Sequence, residues 1–205
     1  MKYNLVCWSI LWVFMLFGQS NNDTLKSNVN RYVIGFVPTI ADHVYGIAIG
    51  PVGSEAICKP NNIKYSHGLN IQLPGQGIFQ LLNLKQFSFT NLHESSNDDW
   101  VSNTAVHTGL IISVLGTWTT KINGVAISGL SSLGRIVNGV TLNLIWNRYE
   151  QINGIAISAV NHSARLNGIS IGLINKTKKL KGIQIGLWNK NEKRALPIIN
   201  WNFKN

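Results

Sequence analysis

The chain has 205 residues, with 18 Lys and Arg against 8 Asp and Glu, a formal charge of +10. That length is enough for one domain with a sizeable core. Only 13% of residues are charged and 19 are Gly, with Asn frequent throughout, which suits a turn-rich β fold better than a helical one.

The N-terminus, MKYNLVCWSILWVFMLFGQS, carries Lys2, an apolar run from Leu5 to Phe17 and the small residues Gly18 and Ser20. This is the form of a cleaved secretory signal peptide over residues 1–20. The run of about 13 apolar residues is too short to cross roughly 30 Å of hydrocarbon as a helix. Cys7 does not follow the apolar run, so it is poorly placed as a lipoprotein anchor. No later segment is long and apolar enough for a membrane helix. Cleavage would remove Lys2, lower the charge to +9 and leave Cys58 as a lone thiol, read as a small apolar residue rather than a nucleophile.

Residues 29–92 read as an irregular N-terminal β section with degenerate repeats. HVYGIAIGPVG (43–53) and SHGLNIQLPG share a Gly-Φ-x-Φ core, Φ being an apolar residue, but not a fixed spacing. Residues 93–104, including HESSNDDW, read as a surface loop.

A regular array follows over 105–190. Gly109, Gly124, Gly139, Gly154, Gly168 and Gly182 are spaced 15, 15, 15, 14 and 14 apart, and each opens an alternating segment such as VAISGL, VTLNLI or IQIGLW. Positions one, three and five after Gly are aliphatic (Val140, Leu142, Leu144; Ile183, Ile185, Leu187). Positions two and four are small or polar (Ala126, Ser128; Thr141, Asn143; Gln184, Gly186). Period-two alternation signals a strand with one buried face, and the aliphatic row is expected to be that face. Asn147, Asn161, Asn175 and Asn189 recur 14 apart at the strand ends, and Ile122, Val137, Ile152, Leu166 and Leu180 sit two before each Gly.

Two architectures fit: a short-coil parallel β-solenoid of 14–15-residue repeats, or an antiparallel β-meander or small β-barrel built on Asn-Gly hairpins. The solenoid is favoured. The arm before each Asn-Gly is only a stub, the aliphatic rows are shorter than the roughly 9–11 residues of a membrane strand, and a meander would not need the same corner in every unit. In a solenoid the asparagines should stack as a ladder, with Gly turning the corners.

The units GVAIS, GIAIS and GIAIG resemble the β-roll coils in the heads of trimeric autotransporter adhesins. The tandem NG-Φ-x-IGL-Φ-N units, together with KRALPIINWNF at the end, are more similar to a bacterial exported surface-repeat family of unknown function. That similarity covers the C-terminal half and reaches VIGFVPTIADHVYGIAIGP. It implies an exported or cell-surface location in the periplasm or outer membrane region of a bacterium, and it carries no catalytic residue to transfer.

Residues 191–205 read as a cap shielding the last coil, with Trp201 and Phe203 as its aromatic bulk. From 176 to 205 there are eight basic residues against Glu192 alone. Lys176, Lys178, Lys179, Lys181, Lys190, Lys193 and Arg194 therefore form a candidate rim for an anionic cell-surface polymer or membrane surface. No nucleic-acid motif, metal site or cofactor motif is expected. Asp42, His43 and Glu55 are the residues a hydrolase would need to assemble, and Asn97, Asp98 and Asp99 are too closely spaced for a dedicated Ca²⁺ loop. The expected function is a non-enzymatic structural or binding scaffold, against a small outer-membrane barrel and, more remotely, a secreted hydrolase.

Overall fold

A computed structural model describes residues 30–36, 40–51, 62–75 and 105–203. The signal peptide at 1–20, the loop at 93–104, Glu55, Cys58, Asn97, Asp98 and Asp99 lie outside the described residues. Ten strands form one sheet in chain order: β1 (Asn30–Phe36), β2 (Ile40–Gly50), β3 (Asn62–Gln72), β4 (Val106–Ser113), β5 (Gly116–Ser128), β6 (Ser131–Asn143), β7 (Trp146–Ile157), β8 (Val160–Ile171), β9 (Ile174–Lys190) and β10 (Ala195–Asn202). Every pairing from β1 to β9 is parallel and in register, and only β10 runs antiparallel, against β9. A meander or up-and-down barrel would alternate direction, so the chain is a β-solenoid.

Each coil is one strand-like turn with three short arms. Between β5 and β6 the pairing steps over Thr120 and Arg135, which marks the first bend. The second bend is the repeat Gly: Gly124, Gly139, Gly154, Gly168 and Gly182 have φ of 139–143°, where a side chain is strained. The third is the two-residue turn that separates consecutive strands, such as Gly129-Leu130 and Ala159 with its neighbour Ser158. Arm A is 116–119 in β5 and its equivalents, arm B is 121–123, and arm C is 125–128.

The described strands of the N-terminal section stack on the regular array. Val33, Gly46, Gly68 and Gly109 are consecutive partners at the same corner as the regular glycines, although the steps there are 13, 22 and 41 residues. The extra residues all fall between one arm C and the next arm B, and arms B and C keep their register throughout.

The buried face is opposite to the one the alternation suggests. Ala126, Thr141, Ala156, Ser170 and Gln184, the small and polar row of arm C, are almost completely buried, as are Ser128 and Ser158. The aliphatic row points outward, with Ile112, Ile127, Ile157, Ile171 and Ile185 each 37–40% exposed. A coil of 14–15 residues encloses too narrow a space for large side chains from all three arms. One aliphatic column from arm B (Ile122, Val137, Ile152, Leu166, Leu180) already occupies the centre, and it forms the main core with Ile111, Ala126, Tyr149 and Ala156. Tyr149 is a large ring buried inside, and Gly134 in the adjacent coil makes room for it. A Cβ on Gly134 would come within 2.9 Å of that ring.

Hydrogen-bond ladders complete the interior. Asn147 donates to Asn161 at 2.9 Å, Asn161 to Asn175 at 2.9 Å and Asn175 to Asn189 at 2.8 Å. The same amides bind the corner carbonyls of Ile171 and Ile185 at 2.8 and 2.9 Å. Buried polar groups are tolerated when paired in this way.

Candidate functional site

Arms A and B present the charged and polar side of the molecule. The outward column of arm B that starts at Asn123 is a second amide ladder: Asn138 donates to Asn123 at 2.8 Å, Asn153 to Asn138 at 2.7 Å and Asn167 to Asn153 at 2.8 Å. Lys181 pairs with Asn167 and continues that column, while Arg165 and Lys179 are register partners in the column beside it. The bend between arms A and B adds Lys178, and the turn after β9 adds Lys193.

These elements enclose a groove of about 410 Å³ lined by Arg165, Asn167, Lys178, Lys179, Lys181, Asn191, Glu192, Lys193 and Asn202, among others. Five cations face one carboxylate there. Arg165, Lys178, Lys179, Lys181 and Lys193 are all exposed, so the charge is available to a solvated anion. The groove wall is fixed by backbone and amide contacts: Glu192 N donates to Lys178 O at 3.1 Å, Asn202 to Leu180 O at 2.7 Å, and Asn191 accepts from the amides of Lys193 and Arg194 at 2.9 and 2.8 Å.

Four of the seven rim residues, Lys178, Lys179, Lys181 and Lys193, thus come together, and Arg165 joins them. Sequence proximity missed Arg165 because it lies one coil earlier, 14 residues from Lys179. Lys176 is the register partner of His162 on arm A, and Lys190 follows Lys176 by the same 14-residue step, so both lie off the groove. Arg194 lies outside the groove lining. Its Nε donates to Asn200 at 3.0 Å, its Nη2 to Trp201 O at 2.6 Å, and its guanidinium lies 4.9 Å from the Trp201 ring centroid. It braces the cap.

The cap itself covers the edge of the last coil as strand β10, with buried Asn200 donating to Gln184 at 3.0 Å. Trp201 and Phe203 are half or more exposed, so the shielding comes from strand pairing and Asn200 more than from aromatic bulk.

At the other end of arm B stands a stack of parallel rings. Tyr32 and Tyr45 lie 5.3 Å apart, Tyr45 and His67 5.0 Å, and His43 and Tyr65 4.8 Å, all within 13° of parallel. Asp42, adjacent in sequence to His43, pairs with Lys64 Nζ at 2.6 Å, which raises the Lys64 pKa, chiefly through that hydrogen bond.

Two histidines are held neutral. His107 is buried in the inward column of arm B beside Ser66, whose Oγ lies 2.7 Å from Nδ1, and burial lowers its pKa to about 4. His162 is lowered to about 4, first by burial and then by Arg148, Lys176 and Lys178.

The architecture defines a β-solenoid of 14–15-residue coils. Comparison with family models, curated proteins and solved structures finds no match to this chain.

Proposed function

We propose that this protein is an exported, non-enzymatic surface scaffold whose C-terminal groove docks on anionic groups of a cell-surface polymer or membrane. The observation that carries the reading is the convergence of Arg165, Lys178, Lys179, Lys181 and Lys193 around one groove with a single carboxylate, Glu192. Clustered cations at a surface attract phosphate and carboxylate polymers, and the attraction is screened by salt. The signal-like composition of residues 1–20 and the similarity of the repeat units to exported surface-repeat proteins support the location.

Replacing Lys178, Lys179, Lys181 and Lys193 with Ala should weaken retention on vesicles containing anionic lipid by about a hundredfold or more, at roughly 1 kcal/mol per basic residue near such a surface. The remaining wild-type binding should fall as salt rises. Equal retention of the quadruple variant and the wild type in a vesicle co-sedimentation assay would refute the reading.

A further inference from the structure

The outward side of arm C is unlike the rest of the surface. One column runs Ile34, Ile47, Leu69, Leu110, Val125, Val140, Ile155, Ile169, Ile183 and Trp201, each the register partner of the next. Its neighbour runs from Phe36 and Ile49 through Ile112, Ile127 and Ile157 to Ile185 and Ile199, also over ten rungs. Neither column contains a charged or polar residue. Along the adjoining corner Leu144, Leu173 and Leu187 are 72, 55 and 70% exposed.

Ten rungs at roughly 4.8 Å make a strip about 45 Å long, and two columns plus the corner are roughly 15 Å wide, on the order of 700 Å². That exceeds the roughly 300–600 Å² of the largest apolar patch on an ordinary monomer and approaches the ~800 Å² per partner of a stable interface. Parallel sheets are normally covered on both faces. Here the inner face is covered by the coil and the outer face is bare among the described residues.

We infer that this strip is the contact face of a homodimer, with the arm C sheets of two chains packed against each other as in a β-sandwich. Such sheets stack about 10 Å apart, and the same patch serves on both copies. Two observations select a second copy over other occupants. The basic groove lies on arm B and the A–B bend and meets arm C only at the last coil. The outward arm B neighbours of the strip before it are Thr108, Asn123, Asn138, Asn153 and Asn167, so two strongly cationic chains can meet through faces neutral over most of their length. The same placement argues against an anionic lipid surface, because cations border the apolar strip only at its last coil, through Lys181 and Arg194. Among the described residues the arm C pairing is unbroken over its ten rungs, which gives one continuous surface for a matching sheet.

Sedimentation velocity of the purified protein over a dilution series is expected to show two chains giving way to one. Ile127→Lys/Ile157→Lys, which places charge only on the outward face, should be a monomer at every concentration with an unchanged β-sheet circular dichroism spectrum. A wild type that is monomeric throughout would overturn the inference whether or not the variant folds. So would binding of the wild type, but not the variant, to uncharged phosphatidylcholine vesicles, which would assign the strip to lipid.

Discussion

At the residue scale, His107 shows how the narrow interior constrains chemistry. Val44, Ser66, His107 and Ile122 are successive inward partners on arm B, and an imidazole there has little room for water. Burial holds its pKa at about 4 against 6.5 in the unfolded chain, and His162 behaves alike beside Arg148 and Lys176. The unfolded state therefore binds more protons between pH 4 and 6.5, so the folded state is fully stable above about 6.5 and loses stability as pH falls through that window. Each histidine can contribute up to about 3 kcal/mol of that loss. Urea titrations at successive pH values should show the decline, and His107→Gln/His162→Gln should flatten it. An equally steep profile in the double variant would contradict this account. Neither role is written in the local sequence, because the 41-residue step from Ser66 to His107 hides their adjacency.

At the element scale, the corners were the most legible part of the chain. The 14–15-residue spacing of Gly from 109 to 182 reports a real stack. Each of these glycines has positive φ, and a Cβ on Gly154 would overlap the carbonyl oxygen of Gly139 in the coil before it. Two separate penalties, strain and overlap, fall on any side chain there, so Gly154→Ala should destabilise the protein by about 3 kcal/mol or more and lower its melting temperature. An unchanged melting curve would show that the coil can open at this bend. The Asn147–Asn189 ladder was legible for the same reason, since equal spacing becomes superposition in a solenoid. The outward ladder from Asn123 to Asn167 was less so, because Asn before Gly also reads as a hairpin turn. The early coils were blurred by insertions, and the stacked Tyr and His rings of β1–β3 become neighbours only once those insertions are set aside.

At the scale of the whole molecule, the repeat disclosed the solenoid and the parallel order of its coils but inverted inside and outside. Alternation gives the period of a strand and not the side that is buried. The usual assignment, large aliphatics inward, fails here because three arms share one small interior. That interior is filled mainly by the arm B aliphatic column, with Ile111, alanines, amides and Tyr149. The same inversion creates the apolar strip of arm C and gathers the groove lysines on arm B, the A–B bend and the turn after β9. Of the candidate rim, the C-terminal concentration of lysines was legible, whereas the contribution of Arg165 and the internal role of Arg194 depend on which coil and which strand each occupies. Adjacent positions on one arm C test this inversion most directly. Thermal unfolding should remain cooperative in Ile157→Lys, where the ammonium reaches water, and should be lost in Ala156→Lys, where it would enter the filled centre of the coil. Loss of folding in Ile157→Lys together with a normal transition in Ala156→Lys would contradict the account.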